Sequence, residues 1–289
     1  RPLYFLIVAC LSNVVLDLVF VLVFKMGIAG VAIASILAQA ISAVMVVMSL
    51  SAESMEYRFR FRQMRFEGDI LSRTIRIGLP AGFQSIMYSL SNMLIQASVN
   101  RFGTDTVASW VVLGKVDGIN WMILGALGIA SMTFVGQNYG AGRLDRIQKS
   151  LKLSLLIGVC ISIVFGGALL LFGWPLFGLF TSDDTVLAMS MQLLWYFAPF
   201  YWLFVPIEII SGALRGMGDT LIPTIITATG ICVFRVAWIY TVVPLHNSMF
   251  TVSLSYPISW VLTAIAFAIY YMIARKKLIA NAPKPRTAE

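Results

Sequence analysis

Residues 153–174 read LSLLIGVCISIVFGGALLLFGW, without a single charged side chain. An α-helix rises about 1.5 Å per residue, so this run alone can cross the ~30 Å hydrocarbon core of a bilayer. Similar runs flank it on both sides. Eight spans are predicted, at roughly 3–24, 28–50, 76–100, 106–135, 153–174, 186–213, 221–243 and 249–273. Each is too long and too evenly apolar for an outer-membrane barrel strand, which alternates over about ten residues. Helices are the form in which each span satisfies its own backbone hydrogen bonds in lipid. The whole 289-residue chain agrees: it is 59% hydrophobic and 12% charged, about half the charge of a soluble domain. The fold class is therefore an all-α polytopic membrane bundle.

The formal charge of +8 has to be judged by location, since basic residues collect in cytoplasmic loops. With Arg1 placed inside, all of the 21 Lys and Arg residues except Lys25, Arg101, Lys115 and Arg235 fall in cytoplasmic segments. Both chain ends are then cytoplasmic, and the basic, amphipathic stretch 51–75 is a cytoplasmic connection. The charge thus reflects membrane topology, and a nucleic-acid partner is not expected. The three cysteines lie inside apolar runs and read as free thiols. His246 is the one histidine, so no zinc cluster is expected. Arg1-Pro2 runs directly into a span, which reads as the middle of a longer protein.

Three segments stand out from the apolar background. The first is Asn13-Val-Val-Leu-Asp17-Leu, followed by Gly27-Ile-Ala-Gly30-Val-Ala-Ile-Ala-Ser35. The second is Val135-Gly136-Gln137-Asn138-Tyr139-Gly140-Ala141-Gly142, with Arg143 and Arg146 after it. The third is Gly212-Ala-Leu-Arg215-Gly216-Met-Gly218-Asp219-Thr220, then Pro223. Their glycines permit sharp helix-ending turns, and no P-loop Lys-Ser/Thr pair accompanies them. In this order the segments resemble parts of multidrug and toxic compound extrusion (MATE) transporters: the first their fifth and sixth helices, the second the loop after helix 8 and the third the loop after helix 10.

The resemblance implies twelve helices in two lobes around a cavity that opens alternately to either side. Residues 1–50 would then be the last two helices of the N-terminal lobe, 51–75 the inter-lobe linker, 76–275 a complete six-helix C-terminal lobe and 276–289 a cytoplasmic tail. Helices 1–4 would precede this chain in the same protein. The implied activity is secondary antiport in a bacterial inner membrane. Amphipathic or cationic small molecules would leave as H+ or Na+ enters, with no other cofactor.

Ionisable groups inside spans are costly and mark function by default. Asn13 and Asp17 are four residues apart and share a helix face. Asp17 lies roughly 10 Å, and Ser35 roughly 12 Å, from the outer ends of their spans, so the three can converge at one depth. The resemblance assigns the matching positions to a cation or proton site, with a further acidic residue on the absent first helix. The alternative is a structural hydrogen-bond anchor. Asp117 and Arg235 also match in depth and suggest an intramembrane ion pair. Glu208 lies deeper towards the cytoplasm, and a direct pair with Arg235 is not expected. These three charges either hold the lobe together or bind a coupling ion or cationic substrate. One branch of the family carries acidic residues where this chain has Tyr88 and Phe204, which shifts the expected coupling from a C-lobe sodium site towards protons at Asp17.

Gln84, Tyr88 and Ser91 fall within about 60° on a helix wheel, an arc that packs helices or lines a watery cavity. The sixth span carries Tyr201 and Trp202 between Pro199 and Pro206. A proline-kinked aromatic helix suits a cavity that stacks on flat organic cations. Other classes fit less well. An exporter of lipid-linked sugars needs several cavity cations for pyrophosphate, and only Lys115 and Arg235 are intramembrane. A membrane enzyme would need a catalytic set, and a channel a filter sequence; neither is visible.

Overall fold

The computed structural model describes residues 2–52, 59–60 and 65–280, and all secondary structure among them is helical. Arg1, Arg58, Arg62, Lys284, Arg286, much of the 51–75 connection and the tail from residue 281 lie outside the described residues. The chain divides into two compact units, Arg1–Leu71 and Ser72–Glu289.

The first unit is a helical hairpin. Helix α1 (Pro2–Leu18) continues into a π-helical turn at Val19–Val23, and α2 spans Gly27–Ser51. Lys25 and Gly27 both take positive φ, 55° and 56°, to reverse the chain. Gly30, Ala34 and Ala38 are buried at four-residue spacing on one face of α2. Small side chains there let the backbones approach, and a Cβ on Gly30 would meet Phe20 Cβ at 3.0 Å. Most other apolar side chains of the pair point outward, as lipid-facing or helix-facing surfaces do.

The second unit is built around α4 (Thr104–Gly140), preceded by α3 (Gly68–Val99) and followed by α5 (Leu144–Gly178). The sixth expected span is broken into α6 (Asp184–Phe197), a 3-10 segment at Ala198–Leu203 and α7 (Val205–Gly216). Asp183 caps α6, accepting from the Thr185 and Val186 amides at 2.8 and 3.3 Å. Pro206 does not kink a continuous helix. It sits in the first turn of α7, where a missing N–H costs nothing. The seventh span is likewise interrupted: α8 (Leu221–Thr227), a π-helical turn at Ala228–Val233 and α9 (Phe234–Thr241). Helix α10 (Met249–Ala280) closes the unit.

Helices α4 and α7 cross at backbone contact. A Cβ on Gly212 or Gly216 would collide with the carbonyl oxygens of Gly128 and Met132, and Ser131 Oγ donates to the Ile209 carbonyl at 3.2 Å. This is small-residue packing of the kind that holds membrane helices together without a hydrophobic drive. The glycine motifs end helices as expected. Gly142 and Gly218 take φ of 69° and 90°. In each turn the next amide reaches back five residues, Arg143 to Asn138 at 2.8 Å and Asp219 to Leu214 at 3.0 Å, which is a Schellman closure.

Among the described residues, seven helical stretches are long and apolar enough to cross a membrane. The remaining expected span, 76–100, forms within α3, which begins at Gly68, but it is less apolar than the others. Its polar arc of Gln84, Tyr88, Ser91, Asn92 and Gln96 is the physical reason.

Candidate functional site

A cavity of about 500 Å³ opens inside the second unit. Helix α3 contributes Tyr88, Asn92 and Gln96, and α4 contributes Trp110, Asp117 and Trp121. Phe197, Phe204 and Glu208 come from the broken sixth span, Arg235 from α9 and Tyr256 from α10. On α4 the wall residues recur at seven- and four-residue steps, one face of a helix. The ring of Trp121 packs edge-on against Phe204 at 4.8 Å and Trp260 at 5.8 Å, while Tyr256 packs against Phe197 at 5.1 Å. The cavity is therefore an aromatic box with three charged groups in its wall.

Those charges are arranged differently from the depth argument. Both oxygens of Asp117 are occupied by neutral donors: Trp121 Nε1 at 3.2 Å on one and the Tyr201 hydroxyl on the other. Arg235, only 4% exposed, donates from Nε to Ser259 Oγ at 2.9 Å and lays its guanidinium 3.9 Å over the Tyr256 ring. The expected Asp117–Arg235 ion pair does not form. Equal depth brought the two into one cavity, but their azimuths aim them at different partners. Glu208 lines this cavity and also a smaller one of about 120 Å³ shared with Gln84, Arg215 and Thr227.

Gln84 is not in the large cavity's wall. It accepts from an Arg215 terminal nitrogen and faces the smaller pocket. Trp202 is not in the wall either and is 42% exposed, whereas its neighbour Tyr201 is fully buried behind Asp117. A 3-10 segment turns about 120° per residue, so adjacent side chains diverge. Arg215 escaped the sequence reading, which left it in a cytoplasmic turn; Trp110, Trp121, Tyr256 and Trp260 were also missed. Their signal was present, since Asp117/Trp121 and Tyr256/Trp260 are four-residue pairs.

The first unit holds its own group. Asn13 Nδ2 donates to Ser35 Oγ at 3.5 Å, a long contact. One turn further along α1, Asp17 is half-buried and its Oδ1 is enclosed without a hydrogen-bond partner. Buried polar atoms are almost always paired, so this bare carboxylate oxygen is the exception in the hairpin.

Membrane-crossing helices, broken spans and an aromatic cavity with ionisable groups in its wall define a multi-pass membrane protein of transporter type. The family model MatE matches residues 80–241, more than half of the chain, and the chain belongs to that family, one of transporters and not of enzymes. It is 26% identical to the probable multidrug resistance proteins YoeA and YpnP of Bacillus subtilis (strain 168), covering 96% of this chain and 61% of each relative. The chain thus spans about three-fifths of the length of these relatives. Among solved structures, it aligns with a MATE protein in the straight conformation at a TM-score of 0.87 and 18% identity, over 96% of this chain and 63% of that one. A MOP superfamily transporter from Pyrococcus furiosus aligns equally well, at a TM-score of 0.87 over 95% of this chain and 62% of that one.

Proposed function

We propose that this chain is the cavity-bearing part of a multidrug antiporter that exports amphipathic organic cations in exchange for protons or sodium ions. The observation that carries the reading is the aromatic box of about 500 Å³ with Asp117 and Glu208 in its wall. Flat cationic bodies gain stacking and cation–π contact there, and a carboxylate supplies the opposite charge away from water. The volume falls in the range of drug-sized sites.

Asp17 is the coupling group in this reading. Its bare oxygen takes up the incoming ion, and binding that favours one conformation shifts the population towards it. The membrane is a bacterial inner membrane, with basic connections on the cytoplasmic side. The helices that the MATE resemblance places before Arg1 complete the first lobe.

The test is accumulation of a fluorescent aromatic cation in pump-deficient bacteria expressing the intact protein. Active protein should lower accumulation when an ion gradient is present, and Asp117→Asn should raise it again. Equal accumulation with and without the protein, at normal membrane levels, sinks the reading.

A further inference from the structure

Arg235 is a permanently charged group enclosed in the cavity wall, yet it uses little of its bonding capacity. Its Nε–H is given to Ser259, and its face is covered by Tyr256. Among the described residues, the bond to Ser259 is the one hydrogen bond its guanidinium makes, which leaves its two terminal nitrogens for the cavity that Arg235 lines. Asp117 is saturated by Trp121 and Tyr201, and no ion pair joins Arg235 to it or to Glu208. Leaving a buried guanidinium uncompensated is expensive, so the free end is the unexplained feature of the box. A fork held at its root by one serine and stacked on one ring is pre-aimed, and its natural complement is a planar two-oxygen anion.

We infer that Arg235 forms an anion-accepting subsite in the cavity, so that the box takes aromatic zwitterions as well as simple cations. The carboxylate of such a molecule docks on the terminal nitrogens of Arg235. Its aromatic body lies among Trp110, Trp121 and Tyr256, and its amine is directed to the Asp117 and Glu208 side. Ser259 is a positioning residue, acting through the guanidinium. The inference rests on the proposal that this cavity is the substrate site.

The experiment uses the purified intact protein in lipid nanodiscs and one xanthene dye in two forms, the ethyl ester (a cation) and the free acid (a zwitterion). The wild type should bind both. Arg235→Gln should weaken the free acid about tenfold or more, the loss of one charge-assisted bidentate contact, and leave the ester unchanged or tighter. Arg235→Lys, which keeps the charge without the fork, should recover part of the free-acid affinity. If the ester and free acid weaken together, or neither changes, Arg235 is a packing residue and the subsite is overturned. The wild type provides an arm independent of variant folding: binding of the ester but not the free acid overturns the subsite and leaves the cation cavity standing. Binding of neither dye removes both readings.

Discussion

The two units each contain a helix with a π-helical turn beside an ionisable group, at the helix end in the first unit and between two α-helical segments in the second, and the pair differ in the sign of that group. In the first unit Asp17 precedes the turn at Val19–Val23; in the second, Arg235 follows the turn at Ala228–Val233. In both, a side chain of the helix that carries the π-turn donates to a serine on the next one, Asn13 to Ser35 at 3.5 Å and Arg235 to Ser259 at 2.9 Å. π-turns recur at functional sites because they locally break the regular helix register. Here one local device presents an anion in one unit and a cation in the other. The environments follow the charge. Asp17 keeps a bare oxygen in a thin two-helix hairpin, where the proposed function has it take up a small ion. Arg235 is enclosed by aromatic rings, suited to a bulkier partner.

The largest effect expected from breaking this contrast is at Asp17. Asp17→Asn keeps the size and removes the charge, so the intact protein should insert at normal levels and lose nearly all gradient-driven efflux. Dye binding should persist, because the aromatic box is untouched. Vesicle transport against an imposed ion gradient measures it, and full efflux by the Asn variant would remove Asp17 from the coupling role.

A smaller effect tests whether the two π-turns are held equally firmly. Gly230 lies within the second turn, and an added methyl there runs into the Thr263 side chain. Gly230→Ala should cost about 1–3 kcal/mol of stability, the usual penalty for overpacking. Gly30→Ala, whose Cβ would sit 3.0 Å from Phe20 Cβ and Met26 Cβ, belongs to a more open hairpin that can give way and should cost about 1 kcal/mol or less. Thermal unfolding of the two variants in one detergent compares them. Equal losses would mean that the hairpin is as tightly constrained as the larger unit.

Much of this contrast was legible in the sequence, and the remainder was hidden for physical reasons. Span length and composition gave the helices, and the depth argument that paired Asn13 with Ser35 meets a contact of 3.5 Å between them. The MATE resemblance was carried by turn glycines whose positive φ the structure displays at Gly142 and Gly218. The π-turns were not legible, because Val19–Val23 and Ala228–Val233 are as apolar as the α-helices around them. Depth along a span put Asp117 and Arg235 in one cavity but carried no information about azimuth, so the expected ion pair was wrong. Trp202 was misplaced because adjacent residues diverge by about 100–120° in either kind of helix, so it could not share the buried direction of Tyr201.

The finest test concerns the two serines. Ser259 accepts from a buried guanidinium at 2.9 Å, a charge-assisted bond in a place water does not reach, and hydrogen bonds to charged groups contribute about 1.5–3 kcal/mol. Ser35 accepts from a neutral amide at 3.5 Å in a half-open hairpin, near the limit at which a hydrogen bond counts at all. Ser259→Ala should therefore lower stability by about 1.5–3 kcal/mol and loosen the aim of Arg235, so that the zwitterionic dye weakens while the ester does not. Ser35→Ala should stay within about 0.5 kcal/mol, as a change outside any tight network does. If Ser35→Ala proves as damaging as Ser259→Ala, the Asn13–Ser35 contact closes further in the membrane than the long distance implies. The first unit would then be as preorganised as the second, and the contrast between a loose hairpin and a rigid aromatic box would fail.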